Sequence, residues 1–381
     1  MVDDFNARRV GLHEDLAHGF AVAENFNNFS KTHLESVHGG IHHVIGGTPS
    51  YDGVQMPGHM WPLEYSAFEP LFMLHHCNVD RLFNLWIDAH PDLRMETAEV
   101  GVSGTFVIKD YSHVDANTPL SPFWKTPTTF WTSNDLWNAS VLGYAYPETQ
   151  YWNFASMDLY RESINGTIAE YYSTDARIRL TNSGEKGTVS LVNLLKEDRS
   201  FMDWSIQGTG IRYQMPMSFR VRFSIVGDFS SDRVANAGTW SVLMPQEMEI
   251  DMEQMLTQEA KSERVEGSVS LTTVLLDQVA AGKLQSLDAE HVVPYLTDKL
   301  TWFVYAVSLP LLSLHRPNGK AEDMIQGNGT VIPHTELGGL SLMVVSTTVH
   351  IPKDPRTPLD YSGPKTTHPE ITAGKGGGAK L

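Results

Sequence analysis

The chain has 381 residues, 41% of them apolar and 10% aromatic, enough to core two or three domains and too apolar for a disordered scaffold. Forty-five Asp and Glu against 28 Lys and Arg leave a net charge of −17, so a phosphate backbone is repelled and nucleic acid is disfavoured as a partner. One cysteine, Cys77, excludes an intrachain disulfide and a cysteine-based zinc cluster. Sixteen histidines, seven of them between His33 and His76, draw attention to metal ligation instead.

No apolar run reaches the roughly eighteen residues of a membrane span, and MVDDFNARRVGLHEDLAHGF is too acidic and broken for a signal peptide. A cytoplasmic chain with no membrane association is the expectation. Residues 6–29 carry short, irregular helical signals, followed by a better one at Thr32–Ile45 and a strong one at Pro70–Ala89. Between these, GGTPSYDGVQMPGH is dense in Gly and Pro and reads as loop. From Thr97 to Tyr151 the chain is rich in Trp, Pro, Thr and Tyr without sustained periodicity, as expected of a covering segment, and a helix is predicted at Met157–Tyr172.

After Ser173 the pattern changes. ARIRLTNS, GTVSLVNLL, SFRVRFSIVGDF, TWSVLM, KLTWFVYAVSL and LSLMVVSTTVHI are strand candidates separated by turn residues, interrupted by helical stretches at Gln246–Ser262 and Leu271–Val279. The tail from Pro352 is rich in Pro, Gly and Lys and reads as disordered. The predicted fold class is α+β and multi-domain: a helical domain over 1–150, a linker and helix over 151–175, a β-sandwich-like domain over 176–351, and a disordered tail over 352–381.

His38 and His42 are four apart in LESVHGGIHHVIGG, so on a helix both imidazoles leave one face and can grip one ion. A zinc protease wants Glu after the first His; Gly39 stands there, which removes the general base of a zinc hydrolase. By itself the pair also fits two ordinary, partly buried histidines. In AFEPLFMLHHCNVDRLFNLW, Pro70 suits a first helical turn, and Phe72, His76, Asp80 and Phe83 fall on one stripe. His75 is rotated by about 100°, so one of the two adjacent histidines is expected to join that stripe. Asp80 reads as an outer carboxylate behind the ligands, a partner of Arg81, or a helix-surface acid. A third imidazole would complete a site with open coordination positions.

These residues carry a resemblance. LESVHGGIH, PGHM and AFEPLFMLHHCNVDRLFNLW resemble the second copper-binding half of the tyrosinase and catechol oxidase family, of fungal type. GYAYPE at Gly143–Glu148 resembles the Tyr-x-Tyr segment that closes its catalytic domain, and SFRVRFSIVGDF, GSVSLTTVLL and HVVPYLTDKLTW resemble its carboxy-terminal domain. The resemblance implies His38, His42 and His76 as ligands of one copper ion, in a partial helical copper domain that precedes a β-sandwich-like shielding domain. It places Phe72 against the ligands, Leu63 at the pocket rim, and Glu35 as a water-holding base. Gly39 stands where efficient tyrosinases often carry Asn, a departure bearing more on phenol hydroxylation than on diphenol oxidation. Glu69 and Met73 are milder departures, and His59 is expected to be structural.

The family uses two copper ions, whereas the histidines upstream, His13, His18 and His33, do not form a first-copper motif. The first half is therefore expected to be missing, through a shortened chain, through genuine truncation, or because a second polypeptide supplies it. The implied function is oxidation of phenols or o-diphenols to o-quinones with O2, as in pigment chemistry such as melanin formation. The rival reading is a non-catalytic relative that binds metal or a partner. Met244, Met248, Met252 and Met255 suggest either a Cu(I) relay or an apolar helix stripe, Leu243 and Met244 are candidate pocket plugs, and Cys77 is expected to be a buried packing thiol.

Overall fold

The computed structural model describes residues 2–46, 58–60, 63, 66–101, 107–109, 111–182, 191, 194–211, 214–215, 218–225, 236–243, 263–306, 330–332 and 338–379. The helical part is built on α1 (Val2–Val22), the single turn α2 (Phe26–Asn28), α3 (Glu35–Gly46), α4 (Pro70–Ala89) and α5 (Met157–Tyr171). Where short, irregular helix was predicted before Phe29, α1 runs unbroken for 21 residues. A wide π-helical turn, Phe29–Leu34, then leads into α3. Pro70 starts α4 because its missing N–H is one of the unpaired first-turn donors anyway. At the far end the His90 N–H closes on the Trp86 and Ile87 carbonyls. Ser156 caps α5 by accepting the Leu159 N–H.

These helices share one core. Leu82, Leu85 and Trp86 of α4 bury against Leu16 and Phe20 of α1, Phe29, and Tyr160, Ile164 and Ile168 of α5. The Phe29 ring stacks on Trp86 at 5.0 Å. The covering segment forms two small hairpins, β1 (Ala98–Glu99) with β2 (His113–Val114) and β3 (Trp124–Thr126) with β4 (Thr129–Phe130).

The second core lies between two open antiparallel sheets, with strand orders β10-β9-β6-β7 and β12-β11-β5-β8. The strands are β5 (Ser200–Ile211), β6 (Phe219–Ile225), β7 (Asn236–Val242), β8 (Arg264–Ser270), β9 (Leu300–Ala306), β10 (Thr330–Val331), β11 (Leu340–His350) and β12 (Lys365–His368). β5 pairs with β11 along its length, from Ser200↔His350 to Gly210↔Leu340. On its other edge Gly208 is directly opposite Gly267 of β8. The Trp240 indole of β7 lies on that glycine pair, and a Cβ at Gly267 would meet its Cδ1 at 2.2 Å. Facing sheets can approach this closely only where both strands lack a side chain.

Three expectations need correction. ARIRLTNS is not a strand but α6 (Asp175–Asn182); Thr174 accepts the Arg177 N–H through its hydroxyl and so starts a helix in an ambiguous short apolar pattern. The tail is ordered over 352–379: β12 adds to β11, and α9 (Pro369–Thr372) carries the buried Ile371. A low apolar average concealed anchors such as Leu359, Ile371 and Ala379, all buried. Cys77 is exposed rather than packed. Elements that were not predicted, β5, β8, β10 and the helix α8 (Ala289–Lys299), which follows α7 (Thr272–Ala280), also join the sheet unit. The predicted helix at Gln246–Ser262, the methionines from Met244 to Met255, and most of GTVSLVNLL lie outside the described residues. Among the described residues no helix is long and apolar enough to cross a membrane.

The two cores meet along α1 and α3. Asp15 accepts the Ser270 N–H at 3.0 Å, and Glu14 accepts the Asp175 N–H and the Thr273 hydroxyl at 2.8 and 2.9 Å. His18 lies 3.4 Å from the Asp203 carboxylate. The Ser241 N–H at the end of β7 donates to the Ser36 hydroxyl of α3 at 3.2 Å.

Candidate metal centre

Four imidazoles converge where α3 crosses the first half of α4. The four-residue spacing puts His38 and His42 on one face of α3, their rings 4.8 Å apart. His76 of α4 comes to meet them, its Nε2 3.0 Å from the His38 Nε2. Each of these rings has its other nitrogen on an acceptor: His42 Nδ1 donates to the Met60 carbonyl at 2.6 Å, His76 Nδ1 to the Phe72 carbonyl at 2.9 Å, and His38 Nδ1 to Glu35 at 3.2 Å. The acceptors hold the proton on Nδ1 and leave the Nε2 lone pairs turned toward one another, as ligands require. The His42 Nε2 is buried with no hydrogen-bond partner among the described residues. An orphaned acceptor is costly when dry and is satisfied by an ion.

His75 was expected to point away, yet its ring stacks on His38 at 5.1 Å. The crossing brings α3 over both faces that the two adjacent histidines occupy. One nitrogen each of His38, His42 and His75 lies within 4.8 Å of the others. The His75 Nε2 donates to the His38 carbonyl at 3.2 Å, so His75 also braces α3 against α4. Burial is the first cause that drives His42 down to about 4 and His75 to about 3, with neighbouring imidazoles adding to it; burial also lowers His76. Neutral imidazoles crowded together are ready to bind a cation without first losing protons.

The surrounding residues have their own places and partners. Phe72 stacks on the His76 ring at 3.8 Å and stands edge-on to His42 at 6.0 Å. Glu35 is half exposed and engaged by His38. Gly39 is buried against Leu243, at the end of β7. Leu63 is half-buried, its carbonyl 3.4 Å from the Ser66 hydroxyl. His59 contacts Glu69, the residue before α4, at 3.4 Å and thus has a structural partner.

Asp80 and Arg81 do not pair with each other. Asp80 receives the hydroxyls of Tyr144 and Tyr146 at 2.9 and 2.6 Å, and the Tyr146 hydroxyl also reaches the Cys77 carbonyl. Arg81 grips Glu148 and donates to the Tyr172 hydroxyl at 2.9 Å. Burial first, then the hydrogen bond to Asp80, pushes Tyr144 up to about 12, so both hydroxyls stay protonated donors. This clamp fastens GYAYPE across α4 one turn beyond His76.

Residues 7–89 match the family described as the common central domain of tyrosinase, and residues 203–309 match the tyrosinase C-terminal domain. The chain carries a tyrosinase-type central domain and a tyrosinase-type C-terminal domain. Neurospora crassa tyrosinase is 27% identical over 436 residues, covering 90% of this chain and 59% of that protein. Podospora anserina tyrosinase is 40% identical over 144 residues, 37% of this chain and 23% of that protein. A solved structure of latent and active mushroom tyrosinase shares the fold, with a TM-score of 0.72 and 22% identity, over 97% of this chain and 62% of the other. The chain thus spans at most about three-fifths of these relatives. Copper is the metal the family implies, and the imidazole-rich, half-dry donor set fits it.

Proposed function

We propose that this chain forms the second-copper half of a tyrosinase-type oxidoreductase that converts phenols or o-diphenols to o-quinones with O2. The Nε2 atoms of His38, His42 and His76 would hold one copper ion. The observation that carries this reading is the set of three Nδ1 hydrogen bonds, which leaves three Nε2 atoms facing inward, one of them buried and unpartnered. His76 is preferred to His75 because the His75 Nε2 is spent on the His38 carbonyl. Bound copper supplies a Lewis acid for a phenol oxygen and a one-electron redox couple.

The chain's own residues then act as follows. Glu35 fixes His38 and, at the exposed rim, is placed to take a phenolic proton by way of water. Phe72 holds His76 by stacking and makes that wall apolar. The Asp80–tyrosine clamp holds α4, and with it His76, in place.

A specific observation favours a second reading, in which the chain binds metal but turns over only with a partner. Phe68, Leu71, Met73 and Leu74 flank His76 and are exposed, Phe68 at 87% and Leu74 at 70%. An apolar rim of this kind beside a metal centre suits further helices that carry the first copper site, whether from the same protein or from a second chain. Copper titration with electron paramagnetic resonance tests both readings. One Cu(II) per chain with nitrogen hyperfine coupling is expected. His42→Gln and His76→Gln should each lower affinity at least tenfold, and His75→Gln much less. Zinc without copper after native purification, or a His75→Gln loss exceeding that of His76→Gln, overturns the assignment. Catechol oxidation by the chain alone separates the active enzyme from the partner-dependent form.

A further inference from the structure

Two successive glycines in the middle of α3 need a reason, because glycine is the least favoured helix-interior residue after proline. Backbone freedom is not the reason: neither Gly39 nor Gly40 has a positive φ. Both are buried: the end of β7 lies over Gly39, and Leu12 of α1 together with Ser241 of β7 lies over Gly40. A Cβ built on Gly39 would lie 3.2 Å from the Leu243 Cβ and 3.8 Å from the Leu243 N, tighter than ordinary contact. A Cβ on Gly40 would meet the Leu12 Cδ2 at 3.0 Å and the Ser241 hydroxyl at 3.8 Å. One turn earlier, Ser36 takes the Ser241 N–H. Ser36, Gly39 and Gly40 therefore form a shallow seat into which the end of β7 fits.

The seat adjoins the metal centre. At about 100° per residue, Gly39 lies between the face bearing His38 and His42 and the face bearing Ser36 and Gly40. We propose that Gly39 is the docking seat by which the carboxy-terminal sheet clasps the metal-bearing helix. Its missing side chain admits Leu243; a methyl there makes Leu243 give way by a few tenths of an ångström, and a larger side chain levers the end of β7 off α3. A bulky side chain at this position and close packing of the end of β7 on α3 thus compete in this chain. The inference rests on packing and is independent of the proposed reaction.

Amide hydrogen exchange on the full chain tests it through the Ser241 N–H, with the β5–β11 ladder as an internal reference. In Gly39→Ala, Ser241 should exchange several-fold faster, and in Gly39→Val at least tenfold faster, while ladder amides are unchanged. Adding Leu243→Gly to Gly39→Ala removes the opposing Cβ and should restore slow exchange. Helix propensity alone predicts the reverse sign, since alanine stabilises α3. Unchanged or slower Ser241 exchange in Gly39→Ala, or failure of the Leu243→Gly rescue, overturns the proposal. Should Gly39→Val also loosen the ladder, the alanine variant and its rescue decide.

Discussion

Asp15 provides a stability test whose size follows from its surroundings. It lies on α1, 6% exposed, between the two cores, and accepts the Ser270 N–H. Burial raises it from the ordinary carboxylate range to about 8; the Ser270 hydrogen bond opposes this, and neighbouring Glu14 adds to it. A raised carboxyl is protonated in the folded chain and ionised in the unfolded one, so folding takes up a proton. Its stabilising contribution is complete below about pH 4 and is lost as the pH rises toward 8. The loss amounts to about 1.4 kcal/mol per pH unit. Asp15→Asn keeps an acceptor for Ser270 and cannot ionise. Buried His33, lowered to about 3, destabilises the fold below neutral pH in both chains alike and cancels in the comparison. In urea titrations, the stability of Asp15→Asn relative to the parent should therefore grow by roughly 3 kcal/mol from pH 5 to 7 and by roughly 1 more to pH 8. A difference that stays constant across that range would refute the buried, protonated Asp15.

Two further variants probe the clamp and the sheet contact. Tyr146→Phe removes a hydroxyl donated to the Asp80 carboxylate and should cost about 1.5–3 kcal/mol by urea unfolding; the released GYAYPE segment should also be cut faster by a protease of broad specificity. Gly267→Ala drives a methyl into the Trp240 indole, where the Cβ distance is 2.2 Å. It should destabilise the sheet unit by about 1–3 kcal/mol or more, with a change in Trp240 fluorescence as a local report.

The centre was largely legible in the sequence because its signal is dense and local. The HxxxH pair sets one helix face, and Pro70, Phe72 and His76 set another; α4 spans the predicted Pro70–Ala89. How α3 and α4 cross is a tertiary fact, and it is what brought His75 into the cluster against the helical-wheel expectation. Asp80's tyrosine partners are more than sixty residues away in sequence, so no spacing rule could reveal them. β5 was missed because strand alternation needs one wet face, and both of its faces are buried along most of its length. The ordering of β12 and α9 depends on a few anchors whose value appears only once β11 offers an edge.

Two of the three groups that orient the imidazoles are main-chain carbonyls, those of Met60 and Phe72. A carbonyl survives every substitution at its own position, so the tautomers of His42 and His76 are inherited with the path of the backbone. Of the three orienting contacts, only Glu35 to His38 is open to loss by a single codon change. Sequence drift at positions 60 and 72 should thus leave both tautomers in place so long as the chain trace holds, although loss of the Phe72 ring removes the stacking on His76, and drift at position 35 should alter one ligand while leaving the other two poised.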